Sequence, residues 1–124
     1  MNAISRIAGG ILLASCTTLA MAAGNPLSVH VLNLEDGLPS SDVHVTLERL
    51  QGQSWQPLSE GVTNEQGRIT ELFPQGQTLQ DGTYKVTFKT GDWFAQHEAK
   101  TFFPEVPVIF AVDASVEHYH IPLL

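Results

Sequence analysis

The stretch Asp42-Val43-His44-Val45-Thr46-Leu47-Glu48-Arg49-Leu50 alternates apolar and polar side chains with a period of two. In an extended chain that period sends Val43, Val45, Leu47 and the stem of Arg49 to one face. His44, Thr46 and Glu48 go to the other, the pattern of a half-buried β-strand. Gly82-Thr83-Tyr84-Lys85-Val86-Thr87-Phe88-Lys89-Thr90 repeats the pattern, with Tyr84, Val86 and Phe88 on one face. Outward from these two, Leu27-Ser28-Val29-His30-Val31-Leu32-Asn33 predicts a strand of β-branched residues, ended by the turn formers of Glu35-Asp36-Gly37-Leu38-Pro39. A weak strand is expected over residues 54–58 around Trp55. The turn Asn64-Glu65-Gln66-Gly67 leads into a strand over residues 68–72. Residues 93–98 form the one expected helix, about two turns long and unstable without packing. Pro104 and Pro107 flank a turn before a strand over 108–112, and a last strand begins at His118. Strands punctuated by Gly, Pro, Asn and Asp, with no βαβ alternation and no repeat, predict an all-β chain folded as a two-sheet β-sandwich.

Residues 1–22 read as a secretory signal rather than as fold. Arg6 supplies the positive start, residues 7–14 are apolar, and Ala20 and Ala22 occupy the small positions before a cleavage site. The apolar run is too short and too interrupted to be a permanent membrane span. A competing reading treats Leu13-Ala14-Ser15-Cys16 as a lipobox, with a lipoprotein anchored at Cys16. Either route places the mature protein outside the cytoplasm, in the periplasm. Residues 23–124 then form one domain.

The full chain of 124 residues carries 13 acids against 6 bases, a net charge of −7. That balance argues against nucleic acid, which needs clustered Lys and Arg, and against an anionic membrane surface. One cysteine rules out an internal disulfide framework and any Cys-rich zinc site. A domain of about 100 residues folds alone only marginally, so assembly would help it.

Few residues can carry chemistry. His118 and His120 are two apart on a presumed strand and share a face. That spacing suits metal ligation or acid–base work near neutral pH, and it equally suits two histidines on a solvated strand edge. His30 lies mid-strand, where a half-buried structural histidine is the plainer explanation. Arg68 follows Gly67 at a turn-to-strand junction; it is either an exposed charge or a guanidinium able to grip a planar anion or carbonyl. His44 and His97 read as surface residues. There is no nucleophile elbow, no phosphate loop and no calcium-type cluster.

Taken in order, Leu27-Ser28-Val29-His30-Val31-Leu32-Asn33, Gly67-Arg68-Ile69, Phe88-Lys89-Thr90-Gly91-Asp92-Trp93-Phe94, Phe102-Phe103-Pro104-Glu105-Val106-Pro107 and His118-Tyr119-His120-Ile121-Pro122-Leu123-Leu124 closely resemble the 5-hydroxyisourate hydrolases of the transthyretin-like family. The resemblance implies a transthyretin-like sandwich with a short helix, assembled as a homotetramer (a dimer of dimers) with sites between the dimers. It implies opening of the 5-hydroxyisourate ring at a cyclic amide in urate catabolism, with no metal and no cofactor. By motif, His30, Arg68 and His120 become the catalytic residues. His30, Arg68 and the neighbouring His118 become substrate-binding. The family pattern continues past Pro-Leu-Leu into a further strand ending Tyr-Arg-Gly-Ser, whereas this sequence stops at Leu124. The expectation is therefore a sandwich with its last strand missing and low activity, which equal turnover by a chain extended with that tail would contradict. Two alternatives from other classes are a non-enzymatic transthyretin-like carrier of a small ligand and a periplasmic metal binder using His118 and His120.

Overall fold

The computed structural model describes residues 24–124, so the export signal over residues 1–22 and the Cys16 alternative lie outside the described residues. Val43, Val45 and Leu47 point inward, as do Tyr84, Val86 and Phe88, all essentially inaccessible to solvent. The two alternating stretches become strands β2 (His44–Gln51) and β5 (Gly82–Phe88), which pair antiparallel at the centre of one sheet. β3 (Ser54–Val62) and β6 (Val106–Val112) flank them, giving the order β3-β2-β5-β6. The second sheet has three strands. β1 (Leu27–Val31) lies between β4 (Arg68–Ile69), antiparallel to it, and β7 (Tyr119–Leu123), parallel to it.

Leu27, Val29 and Val31 of β1 face the valines of β2 and the aromatic residues of β5 across a single core. Ile69, Tyr119, Ile121 and Leu123 pack against its rim. Burial of this apolar surface is what holds the two sheets together. The predicted all-β, two-sheet, transthyretin-like architecture with one short helix is the observed one. Among the described residues no helix is long and apolar enough to cross a membrane.

Several boundaries differ from expectation, each for a local reason. β3 runs to Val62 because it continues to pair with β2 past a register shift between Leu47 and Glu48. The helix α1 (Thr90–Gln96) starts three residues early, since its entry is tied by the Gly91 amide to the Pro104 carbonyl. Pro107 lies inside β6, opposite Thr87, rather than at a turn. An outer strand tolerates proline because the missing amide can face away from the partner. β4 is only two residues long, against five expected.

Candidate active site on the outer face of the three-stranded sheet

With Leu27, Val29 and Val31 turned inward, Ser28 and His30 must face outward from β1. Register then gathers the rest. His30 is directly opposite Arg68 across the β1–β4 pair, and Ser28 is level with His120 across the β1–β7 pair. Residues level with one another in neighbouring strands share a face. The ring centroids of His30 and His120 are 6.3 Å apart, with planes tilted by 46°. Two imidazoles and a guanidinium from three distant stretches thus share one surface.

Arg68 is aimed by its turn. The Asn64 side-chain oxygen accepts from the amides of Gln66 and Arg68, each at 3.0 Å. Gly67 has φ +70° and packs so closely under β1 that a Cβ there would press into the Val31 carbonyl oxygen. Gly67→Ala is therefore expected to lower stability by about 2–3 kcal/mol. In a domain of this size that is a fall of roughly 10–20 °C in Tm, measurable by thermal unfolding.

His118 and His120 are aimed by Tyr119 between them. Its hydroxyl accepts from the Asp113 amide at 2.8 Å and donates to the Asp113 carbonyl at 3.1 Å. Its own amide donates to the Pro26 carbonyl at 2.8 Å. Tyr119→Phe removes both hydroxyl bonds and is expected to cost about 1–2 kcal/mol, read as a lower urea midpoint.

The electrostatics of the two outer faces differ. On the four-stranded sheet the charges are matched: Glu48 with Lys85 at 3.1 Å, and Glu105 with Lys89. On the three-stranded sheet Arg68 makes no ion pair among the described residues. The charges acting on His120 are all of one sign. Partial desolvation of its ring against the sheet, then Arg68, then His30 and His118, lower its pKa below the ordinary histidine value. These causes favour the neutral imidazole of His120. The site is open, with His120 and Arg68 exposed and His30 half-buried.

Ser28 was not among the residues singled out from sequence. Its Oγ lies 2.9 Å from His118 Nε2 and 2.8 Å from His120 Nδ1. Its spacing of two from His30 on one strand was the available signal, because that spacing places both on the same face. Among the described residues no group of three His, Cys, Asp or Glu is arranged to hold a metal ion. His44 is half-buried beside Glu60, and His97 stacks on Trp93 at 3.9 Å between ring centroids, away from the site.

A two-sheet sandwich presenting a neutral imidazole, a second imidazole and an unpaired guanidinium defines a class of small β-proteins equipped for polar chemistry on a sheet face. The chain belongs to the HIUase/Transthyretin family, whose model matches residues 27–124. It is 43% identical over 113 residues to a 5-hydroxyisourate hydrolase of Salmonella dublin, covering 90% of this chain and 82% of that protein. The 5-hydroxyisourate hydrolase of Klebsiella pneumoniae superposes with a TM-score of 0.68 at 35% identity, over 79% of this chain and 86% of that one. Transthyretin from Sparus aurata superposes with a TM-score of 0.72 at 25% identity, over 78% and 84%. The backbone thus fits both branches of the family about equally, and the side chains have to separate them.

Proposed function

We propose that the protein hydrolyses 5-hydroxyisourate, with His30, Arg68 and His120 as its catalytic residues. The observation that carries this reading is the convergence of the three groups on one face, with His120 held neutral beside an unpaired Arg68. A carrier has no need of a neutral base next to a cation. The higher sequence identity to the hydrolases points the same way.

In the proposed reaction, water is deprotonated by His120 as its oxygen bonds to the ring carbonyl carbon. The carbonyl electrons move onto oxygen, and Arg68 stabilises that oxyanion. The C–N bond then breaks, and the nitrogen leaves with the proton that His120 received, passed directly or by way of His30. The carboxylic acid and the released N–H group account for every atom of the substrate and the water, and the acid then gives up its proton to solvent as the carboxylate.

Assembly as a homotetramer belongs to the same proposal. An open, hydrated face weakens every electrostatic contact that the mechanism uses, and covering it by another subunit would strengthen them. Phe102, Phe103, Ile109 and Leu124 are large, apolar and exposed, which supports burial between copies. Light scattering on the purified protein tests it, with a monomer at micromolar concentration as the contrary result. We place the mature protein in the periplasm on the strength of its Arg6-led apolar leader. The mass of the exported protein distinguishes cleavage after Ala22 from lipidation at Cys16.

The decisive assay is the ultraviolet decay of freshly generated 5-hydroxyisourate. The protein is expected to accelerate it in proportion to enzyme concentration. A carrier would leave the decay at its spontaneous rate and instead bind the compound stoichiometrically.

A further inference from the structure

We propose that the backbone carbonyl of Asn25 sets the tautomer of His120 through a relay over His118 and Ser28, leaving the His120 Nε2 lone pair free as the catalytic base. The proposal rests on the hydrolytic reading above and makes Ser28 and His118 positioning residues.

The relay follows from what each group can donate or accept. His118 Nδ1 lies 2.9 Å from the Asn25 carbonyl oxygen. A carbonyl only accepts, so this nitrogen carries the proton. When His118 is neutral, its Nε2 is bare, 2.9 Å from Ser28 Oγ, and takes the hydroxyl hydrogen. A hydroxyl has one hydrogen. Its second short contact, 2.8 Å to His120 Nδ1, must therefore run the other way, with Nδ1–H donating to Oγ. Neutral His120 is left protonated on Nδ1 and bare on Nε2. The bond made by one ring nitrogen decides the state of the other.

Without the relay, His120 would revert to the form that a free imidazole favours, with the proton on Nε2. Its lone pair would then sit on Nδ1, turned toward the sheet and away from any substrate. The parts of the relay are themselves held. The Asn25 side chain accepts from the amides of Leu27 and Phe73, each at 3.1 Å, and donates to the Phe73 carbonyl at 2.8 Å. Ser28 is buried, with 9% of its surface exposed. Both ring nitrogens of His118 are occupied by protein partners, so its contribution is made through His120 rather than on the substrate.

The test is the imidazole ¹⁵N spectrum of the full protein at a pH where the rings are neutral. In the wild type, His120 is expected to show a protonated Nδ1 and a bare Nε2. Ser28→Ala is expected to move the proton to Nε2 and to lower kcat about 10–100-fold with KM within about twofold, the size seen when an orienting hydrogen bond is lost. Ser28→Thr keeps a hydroxyl and is expected to restore both. A wild-type His120 protonated on Nε2 overturns the relay without need of any variant. So does an unchanged spectrum in Ser28→Ala, or a loss of activity that threonine does not rescue. If the wild type leaves 5-hydroxyisourate decay unchanged, the hydrolytic reading fails, while the spectrum still decides the relay.

Discussion

His120→Ala is expected to reduce kcat for 5-hydroxyisourate by about 10²–10⁴-fold, the contribution usual for a positioned general base. The site contains a second imidazole, but His30 cannot stand in. Its ring centre is 6.3 Å from that of His120, so it does not occupy the place from which His120 would reach the attacking water. KM should change far less than kcat, because in the proposed reaction the imidazole acts on the attacking water and not on the bound ring. His120 is exposed and lies outside the apolar core, so the fold should survive the substitution. Stopped-flow decay curves and a thermal melt on the same sample check both halves. A variant that keeps its melt and more than half of its kcat would remove His120 from the mechanism.

Arg68→Gln is expected to cost about 10²–10³-fold in kcat, the range for losing a donor to a developing oxyanion. It also carries a second signature that a purely structural arginine would lack. Among the charges that lower the His120 pKa, Arg68 is the foremost. In the proposed reaction the base works when neutral, so activity falls as pH drops through the pKa of His120, which is lowered from the ordinary histidine value in the wild type. Taking away the cation makes protonation easier and raises the pKa. The acid limb should therefore move to higher pH in Arg68→Gln. A lower plateau with an unmoved limb would mean that Arg68 does not act on His120.

These two substitutions, unlike Gly67→Ala, leave the core untouched. Leu27, Val29 and Val31 keep β1 in place from the opposite face. Rate and stability can therefore be read separately at His120 and Arg68, whereas at Gly67 they fall together, because the same backbone approach to Val31 that supports the fold also aims Arg68.

Much of the sandwich was legible along the chain. The alternation through Val43, Val45 and Leu47, and through Tyr84, Val86 and Phe88, needs no tertiary information, since side-chain direction in a strand has a period of two. The short strands were less so. β4 is a two-residue pairing whose length depends on where β1 ends, and the extension of β3 to Val62 depends on a register shift in its partner. Pro107 looked like a turn residue and is strand, because only the position of β6 at the sheet edge makes proline acceptable. At the site, His30, Arg68 and His120 could be named from their motifs, but their meeting could not. It needs β1 to lie between β4 and β7, an order that no local pattern encodes.

Sequence alone determined which residues turn inward, that the chain makes two sheets, and which side chains have the chemistry for acid–base work. All of these are properties of single residues or of spacing along one strand. Tertiary structure decided what those side chains do together. Cross-strand register set Ser28 beside His120 and His30 beside Arg68, and among the described residues it left the cation without an acid. It also linked Asn25, His118, Ser28 and His120 by hydrogen bonds between segments ninety or more residues apart. Protonation and tautomer depend on distance and direction in space, and those exist only once the strands have paired.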